Sequence, residues 1–131
     1  MRFRKIVLII PPSPWLISDR DIPMLGILYL SSYLKKYYEV EVEVCDLSGL
    51  SEPDWYIPIG DIYGVTGTSP HFIYMKRIID ILKDREPDKP VIVGGVHATL
   101  TRTSLIIIQS VSTTMGMSIT KTKLLTTGIV I

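Results

Sequence analysis

Pro90-Val91-Ile92-Val93-Gly94-Gly95-Val96-His97-Ala98-Thr99 is the stretch on which the fold turns. Val91 to Gly94 contains no polar residue, so it is expected to form a short strand buried on both faces. Gly94 and Gly95 remove the side chains where that strand ends, and His97 follows just beyond them. In an open parallel sheet, ligands bind outside the carboxyl ends of the strands. A glycine pair at that edge lets a flat ring or a phosphate approach the main chain closely. The same pair would also serve a tight turn into the next helix. Which use holds depends on what the other strands bring to the same edge.

Working backwards, Ile62 to Thr66 is expected to be a strand that runs into Gly67-Thr68-Ser69-Pro70. Ser69 suits a helix cap and Pro70 the first helical position. The helix that follows carries Phe72, Met75, Ile79 and Leu82 at helical spacing, with Lys76, Asp80, Lys83 and Asp84 outside, until Pro87 stops it. Earlier, Ile6 to Ile10 is a continuous apolar run and reads as a central strand, ended by the stiff loop Pro11-Pro12-Ser13-Pro14-Trp15. Pro23 suits the first turn of a helix reaching about Tyr37, with Leu25, Leu28, Leu30 and Leu34 inward. Its first turn, Met24-Leu25-Gly26, would face the edge that holds the glycine pair. Lys35 and Lys36 lie at its carboxyl end, where cations are favoured. Glu39 to Val44 alternates charged and apolar residues, the pattern of an edge strand. Asp46 to Gly60, with Gly49, Pro53 and Pro58, reads as a loop with at most one helical turn.

Alternating strands and helices joined by short links define an α/β fold with a doubly wound, mostly parallel sheet. The charged second strand at an edge and the apolar first strand inside fit the flavodoxin-like order 2-1-3-4, with a fifth strand expected after Thr99. Leu105 to Ile108 and Thr127 to Ile131 are the segments available to complete it. At 131 residues the chain is one α/β domain over residues 1–100, followed by a tail at 101–131 of different composition. All 13 acidic residues lie between Asp19 and Asp88, whereas the tail carries only Arg102, Lys121 and Lys123.

A net charge of +1 offers no field for nucleic acid or an anionic membrane. The single cysteine, Cys45, excludes an intrachain disulfide and any cluster held by three or four thiolates of this chain. Ile6 to Ile10 is short for a signal peptide and runs into Pro11-Pro12 rather than a small-residue cleavage site, so a cytoplasmic location is expected.

Three segments converge at the carboxyl edge: the loop with Pro12 and Ser13, the turn Thr66-Gly67-Thr68-Ser69, and Gly94-Gly95-Val96-His97. All are small or rigid, so the edge can form a slot. Thr66, Thr68 and Ser69 offer hydroxyls, and the helix start offers free amides, which suit a hydrogen-bonding or phosphate-bearing ligand. The plainer reading makes Ser69 a cap and Thr66 a strand residue. No Gly-x-Gly-x-x-Gly or Gly-x-x-x-x-Gly-Lys-Ser/Thr occurs, which argues against a dinucleotide or a nucleoside triphosphate. Thr66 stands where a phosphorelay receiver needs aspartate, and no hydroxyl-rich loop follows the first strand to hold a flavin phosphate. His71 reads as a surface or hydrogen-bonded residue, and Cys45 as a small hydrophobe. The carboxylates of Asp46, Asp54 and Asp61 have no spacing that pairs them for acid–base work.

Four segments in this order and spacing carry a family resemblance: Ile6-Val7-Leu8-Ile9-Ile10-Pro11-Pro12, Ile22-Pro23-Met24-Leu25-Gly26-Ile27-Leu28-Tyr29-Leu30, Gly64-Val65-Thr66-Gly67-Thr68-Ser69-Pro70 and Gly94-Gly95-Val96-His97-Ala98-Thr99. Over about residues 4–100 the chain resembles the amino-terminal cobalamin-binding domain of B12-dependent radical SAM enzymes. The resemblance implies that the dimethylbenzimidazole tail of cobalamin enters between sheet and helices at the carboxyl edge, with the corrin over the loops. It implies contacts to the tail from Thr66, Thr68 and Ser69, room for it at Gly94 and Gly95, and His97 at the border of the cofactor.

The chain departs from the wider pattern in two ways. It lacks the Asp-x-His-x-x-Gly motif that gives cobalt a histidine in other B12 proteins, so cobalamin would be held without that ligand. It also lacks Cys-x-x-x-Cys-x-x-Cys, so the iron–sulfur cluster and S-adenosylmethionine would belong to a catalytic domain outside this sequence. The acid-free tail replaces the acidic helix of the family, so truncation or a reading-frame shift near Leu100 is expected. Three readings follow: a cobalamin-binding module not catalytic by itself, an α/β interaction domain or decayed fragment that binds nothing, and a subunit whose cluster-bearing partner is another chain.

Overall fold

Apolar strands followed by segments that carry the chain back to the same end must pair in parallel. In the computed structural model, which describes residues 3–20 and 24–95, these are β1 (Lys5–Ile10), β2 (Glu41–Asp46), β3 (Ile62–Thr66) and β4 (Val91–Gly94). Helices α1 (Leu25–Tyr37) and α2 (Phe72–Arg85) lie between them. The sheet is parallel throughout in the order β2-β1-β3-β4, the flavodoxin-like arrangement expected from the sequence. Val96, His97, the two candidate fifth-strand segments and the tail at 101–131 lie outside the described residues.

The two-residue period of the strands divides the core. Val7 and Ile9 of β1, Tyr63 and Val65 of β3, and Cys45 of β2 point to one face, where Met75, Ile78 and Leu82 of α2 cover them. Leu8, Ile10 and Val42 point to the other face and meet Ile27 of α1, with Leu30 and Leu34 packed alongside. Each such aliphatic side chain contributes about 1.5–3 kcal/mol when fully buried.

The helix that follows β1 differs from the expected one in its phase. Ile27 and Ser31 face the sheet, whereas Leu25 and Leu28 are 68% and 43% exposed. The small Ser31 lets the helix approach β1 and β2, and this fixes the line 27, 30, 31, 34 as the inner face. Counting leucines alone missed it. The cap of the second helical segment also moves by one residue. Thr68, not Ser69, precedes a 3₁₀ turn, Ser69–His71, that leads into α2.

β4 is not buried on both faces as its composition suggested: Ile92 is 41% exposed. Val91 and Val93 pack on the α2 side. On the opposite side α1 packs over β2 and β1, and β3 presents Gly64 rather than a side chain beside Ile92.

A loop replaces a helix between β2 and β3, as expected, with one 3₁₀ turn at Glu52–Asp54. Leu47 and Ile57 bury themselves under α2, and the Trp55 indole N–H donates to the Leu50 carbonyl at 3.2 Å. Arg85 Nη1 donates to the Ile57 carbonyl at 2.7 Å, so α2 holds the loop in place. The Cys45 thiol donates to the Tyr56 carbonyl at 3.3 Å. Burial, then Glu43 and Asp46, push its pKa up to about 11, which keeps it an unreactive thiol.

The amino edge of the sheet is held by charge. Asp61 Oδ2 accepts the main-chain N–H groups of Arg4 (2.9 Å) and Lys5 (3.0 Å), and Oδ1 accepts Lys89 Nζ at 3.2 Å. These bonds hold its pKa below the usual carboxylate value. Lys5 pairs with Glu43 at 2.7 Å and Glu41 at 3.3 Å. The Tyr63 hydroxyl accepts Gly60 N–H at 2.9 Å and Arg85 Nη2 at 3.1 Å, and donates to the Glu86 carboxylate.

Candidate functional site

The carboxyl edge is built from uncharged small residues around one imidazole. β1 ends in Pro11, Pro12 and Ser13, all buried. Asp19 fixes this loop: its Oδ1 accepts Ser13 N–H at 2.8 Å, and its Oδ2 accepts Gly49 N–H at 2.7 Å. Thr68 N–H donates to His71 Nδ1 at 2.9 Å. That bond leaves the ring proton on Nε2, which therefore donates to Ser13 Oγ at 2.7 Å. The Thr68 hydroxyl lies 2.9 Å from Nδ1 and accepts the His71 main-chain N–H, so the two residues cap each other reciprocally. Trp15 closes over the ring, edge to face, with centroids 4.8 Å apart. His71 is thus a buried tie between the β1 loop and the turn before α2, the hydrogen-bonded one of the two alternatives its sequence context left open. The three-residue spacing Thr68 to His71 was the available signal, because a side chain there can reach back to the cap.

Burial lowers the His71 pKa from 6.5, and Asp19, the charged group acting on it, opposes the shift. The folded state therefore resists protonation, and the unfolded chain binds the proton first. The stability this tie contributes is fully present above about pH 6.5 and is lost as pH falls through the folded value. A His71→Gln variant is expected to be less stable at pH 7.5. Its stability should fall less between pH 6.5 and 5, where the wild-type slope steepens by up to about 1.4 kcal/mol per pH unit. Urea titrations of both proteins across that range would check it.

The glycines divide into two kinds. Gly94 stands opposite Thr66 in the register of β3 and β4. Gly95 has φ +94°, and a Cβ there would fall 2.7 Å from Thr66 Oγ1 and 2.8 Å from the Gly67 carbonyl oxygen. A Cβ on Gly67 would fall 2.6 Å from His71 Cβ. At Gly95 and Gly67 the space is therefore taken by the protein's own chain, in agreement with the tight-turn reading. Gly94 and Gly64 instead border an opening.

That opening is a groove of about 330 Å³ between α1 and the β3–β4 half of the sheet. Leu8, Ile62 and Ile92 form its walls, Gly64 and Gly94 its floor, and Met24, Leu25 and Gly26 the rim from α1. Its volume is at the lower end of small-molecule sites, roughly 300–1,000 Å³. Among the described residues that line it, Thr66 carries the one polar side chain. Such a groove suits a flat, uncharged, largely apolar ring with a polar group at one end. A cleft of about 470 Å³ lies between Trp55, Tyr56 and α2, but there Arg85 is held by main-chain carbonyls.

Of the residues expected at the site, the structure brings Thr66 and Gly94 to the groove. Ser13, Thr68 and Gly67 belong to the adjoining His71 cluster, and Ser69 is exposed in the 3₁₀ turn. Gly64 and Ile92 were not anticipated. A glycine inside an apolar strand run was the signal for Gly64, since it marks close approach to the main chain. Among the described residues no group of three or more His, Cys, Asp or Glu is placed to hold a metal ion. Nor is any described helix long and apolar enough to cross a membrane. Comparison with models of known protein families, with curated proteins and with solved structures finds no match to the chain.

Proposed function

We propose that the chain is a cobalamin-binding module of the kind that B12-dependent radical SAM enzymes carry, with cluster chemistry left to a separate domain. The observation that carries this reading is the apolar groove floored by Gly64 and Gly94, which runs along a parallel sheet from Ile62 to its carboxyl edge at Thr66 and Gly94. A planar heterocycle such as dimethylbenzimidazole needs bare main chain beneath it, aliphatic walls and a polar group at one end. Gly64 and Gly94, then Leu8, Ile62 and Ile92, then Thr66 meet those needs in turn. Leu8 Cδ2 lies 2.8 Å from where a Gly64 Cβ would stand, so a ring seated on Gly64 displaces the end of the Leu8 side chain. Bound cobalamin supplies a cobalt centre for methyl transfer or redox chemistry; the residues of this chain bind and orient its tail. On this reading the module works in the cytoplasm.

A second reading, an α/β interaction domain that binds no cofactor, draws on the pairing of Ser13 and Thr68 with His71 inside the fold. Absorbance titration with hydroxocobalamin separates the two. Saturable spectral change at micromolar protein, with cobinamide (which lacks the nucleotide tail) at least tenfold weaker, is expected. A flat titration up to 100-fold excess ligand would leave the second reading.

A further inference from the structure

Leu25, which also stands at the groove rim, and Tyr29, Tyr33 and Tyr37 recur every four residues in one exposed row along α1, and are 68%, 79%, 49% and 59% exposed. The Tyr33 and Tyr37 rings are 4.6 Å apart. An outward helix row is ordinarily charged. This helix contains no acidic residue, and its only charges are Lys35 and Lys36 in the last turn.

We propose that this row is a self-association surface, on which α1 packs antiparallel against α1 of a second copy about a two-fold axis between Tyr29 and Tyr33. A two-fold interface must be complementary to itself, residue i meeting j while j meets i. The row satisfies that condition: Tyr29 of each copy meets Tyr33 of the other, with Leu25 and Tyr37 flanking. Residues four apart form the ridge that interdigitates in the commonest mode of helix packing. Charge fixes the direction. Antiparallel packing sends the two Lys35-Lys36 pairs to opposite ends, about 12–15 Å apart along the helix, whereas parallel packing would stack four lysines.

The area also fits a second copy. An aromatic side chain buries about 150–250 Å², so three tyrosines this exposed, with Leu25, offer on the order of 500 Å² per copy. A pair would bury roughly 1,000 Å², the threshold of a specific interface. How tightly the dimer forms depends on the packing of the tyrosines rather than on area. Two lysines are too few cations for a nucleic-acid surface. The inference does not rest on the cobalamin reading.

Sedimentation velocity of the full chain from 1 to 200 µM tests it, with Tyr29→Glu/Tyr33→Glu as the disrupting variant and circular dichroism to confirm folding. Wild type should pass from monomer to dimer with concentration, and the variant should need at least tenfold more protein. A mixture of Tyr29→Cys and Tyr33→Cys chains, whose new thiols would face each other across the axis, should give a disulfide-linked dimer on mild oxidation, since Cys45 is buried and does not compete. The cross-link decides the matter if the double variant does not fold. A wild-type monomer at every concentration, or a dimer that neither variant affects, would overturn the proposal. Sedimentation of that monomer with phosphatidylglycerol vesicles would instead assign the row to a lipid surface.

Discussion

Gly95→Ala is expected to destabilise the protein by about 2–4 kcal/mol, a large loss for one added carbon. Two costs combine. The residue sits at φ +94°, where an L side chain is strained. The new methyl would also meet the Gly67 main chain, with its oxygen at 2.8 Å and nitrogen at 3.1 Å. Unlike the end of a leucine, that main chain cannot swing aside, because Thr66 beside it is paired into β3 and β4. Urea unfolding would show the effect as a midpoint lowered by about 1 M or more, for slopes of roughly 1–3 kcal/mol/M. Gly26→Ala serves as the control: nothing lies within 4 Å of a Cβ there, so its midpoint should hold or rise slightly. Equal midpoints for Gly95→Ala and wild type would mean that this turn is not built as described.

Gly64→Ile should act on the ligand and spare the fold. Its Cβ would lie 2.8 Å from Leu8 Cδ2, the mobile end of a side chain that can change rotamer within the groove. Overpacking of this kind costs about 1–3 kcal/mol, partly offset because a β-branched residue suits a strand better than glycine. The groove, however, would lose its floor. Hydroxocobalamin affinity is expected to fall at least 100-fold, while the far-ultraviolet circular dichroism stays that of wild type. Wild-type affinity in a folded Gly64→Ile protein would remove the groove from the cobalamin proposal.

The strand order was legible because chain composition and sheet position are physically linked. An edge strand can tolerate Glu41 and Glu43, which pair with Lys5, whereas β1 is covered on both faces and reads as an unbroken apolar run. The phase of α1 was not legible, since Leu25, Leu28, Leu30 and Leu34 are chemically alike. What selected Ile27 and Ser31 was the distance to β1 and β2, a tertiary fact. Ile92 was misjudged for a related reason: an apolar residue records what could be covered, not what is. At the site, Thr66 and the glycine pair were found from their places at strand ends. The separate uses of Gly94 and Gly95 depend on one backbone angle that composition does not encode.

Asp61 and its three donors, with the Lys5 and Glu86 pairs, lie at one pole of the sheet, the neutral imidazole tie lies at the other, and the uncharged groove runs between them. Ionic strength acts on the first and hardly on the second. Anchorage and recognition are therefore separable properties in this domain. A ligand-pole variant can be selected without touching the electrostatic base, and high salt can loosen the base while the recognition chemistry keeps its form.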